Sequence, residues 1–258
     1  MVASVRQPAR WVVAIVVAVA VFVFTRVRGE VPAYVAIHRW LADLGVDGST
    51  RNLDASLLIV LGSLLAARIA GGRGQTCKTL GLHGSLPAGL AFALLAGLPM
   101  LLQAAVSSTG VRFDANTMRV VLLAPFVEEI FFRAVLVSIP VRQTGRCFWP
   151  ITILAGALFG SLHVPWTSGL GFDHLGILGA TMAGGIWYAW LLRCYEWNLW
   201  TTIGLHAVMN GAWVVFGVAG DAAGGLWPNI GRGLTIALGT VLAIRHRRRA
   251  GQKTAAQV

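Results

Sequence analysis

The stretch 123-LAPFVEEIFFRAVL-136 sets three charges, Glu128, Glu129 and Arg133, in an otherwise apolar run. Its neighbours are residues that a bilayer accepts, so the run reads as a membrane-crossing helix, in which any ionisable group is a functional candidate that needs a named partner. On a helix Glu129 and Arg133 lie one turn apart at i and i+4, where an ion pair reduces the cost of burying both. Glu128 is rotated by about 100° from Glu129 and has no cation four residues on. One carboxylate is therefore locally paired, and the other is left for different work.

The rest of the chain carries the same signature. Of 258 residues, 56% are hydrophobic and only 12% charged, which is more apolar surface than a soluble domain can bury. Ten Trp and 31 Gly fit packed transmembrane helices with aromatic edges. The expected fold is all-α: a polytopic transmembrane helix bundle of about eight spans, at 11–26, 55–71, 86–106, 118–139, 149–165, 174–194, 198–217 and 226–244. The first, 11-WVVAIVVAVAVFVF-24, follows Arg6 and Arg10 and reads as an uncleaved signal-anchor. Pro99 is expected to kink the third. Residues 31–54 are too polar to span and read as amphipathic and interfacial.

The net charge of +11 does not indicate nucleic acid, because the basic residues lie between apolar runs and in 245-RHRRR-249. Thirteen of the 21 Lys and Arg, among them Arg6, Arg68, Arg142, Arg146 and Lys253, fall on the side that holds the N-terminus, and six on the other. That bias places both termini in the cytoplasm. The aromatic clusters 187-WYAW-190 and 197-WNLW-200 then mark the inner interface. Cys77, Cys147 and Cys194 form no pairing pattern and read as structural.

Two later spans carry polar groups at helical spacing. Phe159 and His163 share one face in 159-FGSLH-163, and His206 and Asn210 share one in 206-HAVMN-210. Facing helices that each project such groups inward build a site in the interior of a bundle. The small-residue pattern 156-GALFG-160 allows the fifth span to approach a neighbour closely. Arg232 lies near a helix end, where it can snorkel. Singly, each feature has a structural reading: an ion pair, interhelical hydrogen-bonding His and Asn, or a chance G-x-x-x-G.

Together, E-E-x-x-x-R at Glu128, Glu129 and Arg133, F-x-x-x-H at Phe159 and His163, and H-x-x-x-N at His206 and Asn210 resemble the CAAX protease and bacteriocin-processing (CPBP) family of intramembrane endopeptidases. The family includes type II CAAX prenyl endopeptidases and bacteriocin-immunity proteins. The resemblance covers about residues 85–220, flanked by transmembrane and interfacial segments at 1–84 and a last helix with a basic tail at 221–258. It implies catalytic roles for Glu128, His163, His206 and Asn210, with Glu129, Arg133 and Phe159 in support. Glu128 would activate a water that His163 orients. His206 and Asn210 would stabilise the oxyanion.

The resemblance implies no cofactor on its glutamate-protease reading. Zinc is the competing one, since two His and a carboxylate suit an open zinc site. The chain lacks H-E-x-x-H, and Arg133 opposes a cation at the carboxylate pair, so the metal-free reading is preferred. The implied partners are a peptide or protein substrate at the membrane and the lipid bilayer, with no nucleic acid. The expected location is a bacterial inner (plasma) membrane. A non-catalytic immunity-type protein and a proton-coupled transporter are the alternatives from other classes; the oxyanion-type His/Asn pair and the lack of an internal repeat argue against the transporter.

Overall fold

The computed structural model describes residues 10–43, 50–145, 147–166, 171–218 and 225–255, and among these it is helical with no strand. Arg6 and Arg146 of the topology reading lie outside the described residues. The helices are α1 (Arg10–Val27), α2 (Pro32–Asp43), α3 (Thr50–Gly71), α4 (Thr76–Leu80), α5 (Leu86–Ser107), α6 (Ala115–Met118), α7 (Ala124–Glu128), α8 (Ile139–Thr144), α9 (Phe148–Ser161), α10 (Phe172–Cys194), α11 (Leu199–Asn210) and α12 (Leu226–Ala255).

Among the described residues, four helical stretches are long and apolar enough to cross a membrane: Arg10–Glu30, Leu53–Gly71, Leu86–Ser107 and His174–Cys194. The chain is a multi-pass helical membrane protein. The other expected spans are helical but shorter or more polar, as with the 14-residue α9. The helix α3 shows the membrane logic most plainly. Leu57, Leu61 and Leu65 lie exposed along one face, whereas Ser63, Ala66 and Ala67 are fully buried. Large apolar residues outward and small ones inward is the arrangement of a helix solvated by lipid and packed closely on its neighbours.

Packing follows the small residues. A Cβ added at Gly160 would sit 2.9 Å from the Leu178 carbonyl oxygen, and one at Gly156 would sit 2.8 Å from Ile186 Cγ1. The expected close approach at 156-GALFG-160 is therefore real, and its partner is α10. Because backbone on α10 is the obstacle at Gly160, a larger residue there must push the two helices apart. Gly160→Leu is expected to destabilise the protein by about 1–3 kcal/mol, read as a lower unfolding midpoint in detergent; an unchanged midpoint would show that α9 and α10 can part freely.

Several sequence expectations need correction. The run 118–139 is not one regular α-helix. Residues 115–144 form a continuous rod in which α6, α7 and α8 are separated by wide turns with i→i+5 bonding, at Arg119–Leu123 and Glu129–Ser138. The interfacial stretch 31–54 divides: α2 is a separate helix and Thr50 already opens α3. The basic run 245–249 belongs to α12 rather than to a free tail.

The aromatic clusters turn inward rather than simply marking an interface. Tyr188 is buried, Trp187 Nε1 donates to Thr240 Oγ1 at 3.0 Å, and Trp200 Nε1 donates to the Leu82 carbonyl at 3.0 Å. Of the three free cysteines only Cys194 is buried. Beside Pro99 the Met100 N–H bonds to Thr235 Oγ1 at 3.3 Å, so the helical ladder is interrupted there and α12 accepts the donor.

Candidate active site

The rod brings both glutamates to the centre of the bundle and gives them opposite environments. The Glu129 side chain is 0% exposed and that of Arg133 2%, with Glu129 Oε2 3.3 Å from Arg133 Nε. The contact is Coulombic rather than a well-aligned hydrogen bond, since neither atom has a hydrogen-bond partner among the described residues. The other Glu129 oxygen, Oε1, lies 2.9 Å from His206 Nδ1 on α11. A carboxylate accepts, so Nδ1 carries the hydrogen and donates. Glu129 thus joins its own helix turn to a helix 77 residues away in sequence.

Three aromatic rings enclose Arg133. Its guanidinium carbon is 4.3 Å from the centroid of Phe159, 5.4 Å from that of Tyr188 and 6.0 Å from that of Phe132. The electron-rich faces of aromatic rings attract a cation, and the planar guanidinium stacks on them as an ammonium cannot. Tyr188 also packs against the His206 ring at 5.5 Å. Glu129, Arg133, His206, Phe159 and Tyr188 therefore form one buried assembly.

Glu128 lies at the edge of that assembly with 29% of its side chain exposed. It faces a cavity of about 270 Å³ that Phe159 and His163 also line. Its Oε2 is 3.9 Å from His206 Nε2, beyond hydrogen-bond range but close enough for charge interaction. The cavity is walled by Phe22, Ile59, Val127, Phe131, Phe132 and Leu162, with Arg26, Arg28 and Arg119 contributing cationic groups.

His163 departs from its expected position. The helix α9 ends at Ser161 and His163 lies in the following turn, exposed, with Nδ1 2.8 Å from the Phe159 carbonyl oxygen. A carbonyl only accepts, so Nδ1 donates, and the neutral ring presents Nε2 as an acceptor. His163 still packs on Phe159, with ring centroids 4.5 Å apart, but by folding back over a helix end rather than by sharing a helix face.

The two polar groups of α11 engage different partners. Asn210 Nδ2 donates to the Val120 carbonyl at 2.9 Å, whereas His206 bonds Glu129. Their observed donors do not converge on one point, contrary to the helical-face expectation.

The sequence reading did not single out Tyr188 or the cavity arginines. The family resemblance begins at about residue 85, so it does not reach α1 and α3. Both helices wall the cavity, and Phe22 of α1 stacks on Phe131 at 4.6 Å. Elsewhere on α2, His38 bonds Asp54 Oδ2 at 3.0 Å, an oxygen to which Tyr34 Oη also donates. Arg28 completes that cluster through Tyr34 Oη at 2.8 Å. Arg232 stacks on Trp213 at 4.1 Å, away from the site.

A helical membrane bundle with a buried ion-pair assembly and a glutamate facing a cavity defines the class. Residues 112–212 match the family model described as Type II CAAX prenyl endopeptidase Rce1-like, of the CPBP family. That segment includes all seven residues of the three motifs, and the match points to a CAAX-type protease, a hydrolase. No curated protein and no solved structure matches the chain.

Proposed function

We propose that the chain is an intramembrane endopeptidase that hydrolyses a peptide bond of a membrane-associated or lipid-modified protein or peptide, using water activated by Glu128. The observation that carries this reading is the unequal environment of the two carboxylates: Glu129 is fully buried between Arg133 and His206, and Glu128 faces the cavity. Glu128 accepts a proton as water attacks the scissile carbonyl carbon. His163, its Nδ1 anchored on the Phe159 carbonyl, offers Nε2 as the acceptor of a hydrogen bond from the other O–H of that water, which orients it without removing that proton. The tetrahedral oxyanion is met by His206, whose Nε2 faces the same side as Glu128 and donates when the ring carries both hydrogens. Glu128 then returns its proton to the departing amine, and the C–N bond breaks.

The buried pair keeps this arrangement fixed. With Glu129 already beside a guanidinium at 3.3 Å, only one carboxylate of the pair is left for a cation, which supports a route without metal. The inner membrane of a bacterium, with both termini cytoplasmic, is the proposed location.

The deciding experiment compares new protein termini, by mass spectrometry, in membranes from cells with and without the gene, and then repeats the cleavage with purified protein. His163→Ala is expected to lower the rate by about ten- to a hundredfold, since it orients water rather than taking its proton. Chelator treatment is expected to leave the rate unchanged. Identical termini in both membranes would refute the proteolytic reading, and stoichiometric zinc lost together with activity would replace the metal-free route.

A further inference from the structure

The bond from Asn210 to Val120 answers a local deficit in the rod. From Arg119 to Leu123 the backbone is wound with i→i+5 bonds, and the Ala124 N–H goes to the Arg119 carbonyl. In a regular α-helix that N–H would serve Val120. In the wide pattern the donor for Val120 would be residue 125, which is proline and has no N–H. The Val120 carbonyl thus loses both backbone donors, at a half-buried position against α11 where an unsatisfied acceptor is costly. The Asn210 amide, 90 residues on, takes their place at 2.9 Å.

We propose that Asn210 is a positioning residue whose amide replaces the N–H that Pro125 lacks, and so holds the wide turn that aims Glu128. A wide turn adds one residue to a helical turn, so it rotates everything after it by about 100° relative to a regular helix. Glu128 lies three residues beyond Pro125, and the wide pattern has ended there, with the Glu129 N–H shared between the Phe126 and Pro125 carbonyls. If Val120 lost its side-chain donor, the Ala124 N–H would move to it and the turn would tighten. Glu128 would then rotate away from the cavity. His206, one turn earlier on the same helix, secures the following residue, Glu129, so α11 grips the rod at two successive places.

The catalytic consequence rests on the proposed function; the structural one does not. The test uses the full chain in detergent as wild type, Asn210→Ala, Pro125→Ala and the double variant. Asn210→Ala is expected to lower the cleavage rate by about tenfold or more in the proline background, but by less than about twofold once Pro125→Ala has restored a backbone donor. An equal loss in both backgrounds would overturn the proposal, because a donor acting on the substrate oxyanion would not be rescued by Pro125→Ala.

Hydrogen exchange of the apo protein gives a second reading that needs no substrate and no proline variant. Asn210→Ala is expected to speed exchange across residues 119–128, and an unaltered exchange pattern there would also overturn the proposal. Exchange that responds in a protein with no cleavage activity would refute the proteolytic reading and leave the positioning role standing.

Discussion

Glu128→Gln is expected to slow peptide cleavage by about two to four orders of magnitude, the usual worth of a positioned general base, while leaving the protein folded. The amide keeps the size of the carboxylate and cannot take the proton of the attacking water. The fold is indifferent because, among the described residues, Glu128 has no Lys or Arg within ion-pair distance: His206 Nε2 lies 3.9 Å away, and 29% of the Glu128 side chain is exposed. The measurement is a single-turnover rate on the identified substrate, beside an unfolding midpoint. Wild-type cleavage by Glu128→Gln would end the glutamate-activated mechanism. A loss of rate accompanied by an equally large loss of stability would place Glu128 among the structural groups instead.

Arg133→Met is expected to produce the opposite profile, a collapse of stability. Its side chain is 2% exposed, and its guanidinium lies 4.3 Å from the Phe159 ring centroid and is the cation at 3.3 Å from a glutamate with no exposure. Removing one member of a buried pair leaves the other as an uncompensated charge, which costs about 3–5 kcal/mol. Methionine fills much of the same volume, so the loss reports charge more than a cavity. Denaturation of the detergent-solubilised protein measures it. Adding Glu129→Gln to Arg133→Met is expected to recover part of the loss, because the stranded carboxylate is then gone. A double variant no more stable than Arg133→Met would mean that the aromatic packing, rather than the pair, sets the stability of this assembly. Arg133→Lys is expected to restore little, since an ammonium lacks the planar face that lies on Phe159.

The parts of the fold legible in the sequence are those governed by local geometry. Apolar runs marked helices, and four of them meet the length and composition of membrane spans. The i,i+4 spacing of Glu129 and Arg133 gave their pairing, and it survives even though that turn is wound more widely than an α-helix. The glycines at 156 and 160 announced a close helix contact without naming α10 as its partner. Where the reading failed, it had applied regular helical spacing to segments that are not regular. His163 follows the end of α9, and residues 118–139 contain two wide turns.

By itself, the sequence determined that the chain is a helical membrane protein, which polar residues belong together as motifs, and which of two adjacent glutamates has a local cation. These follow from composition and from a repeat that spans only four residues. Tertiary structure alone decided that His206 bonds Glu129, that Asn210 serves a carbonyl orphaned by Pro125, that Tyr188 shelters Arg133, and that α1 and α3 wall the cavity before Glu128. Each joins residues tens of positions apart, and no helical periodicity encodes which faces of separate helices will meet. That choice belongs to the packing of the whole bundle.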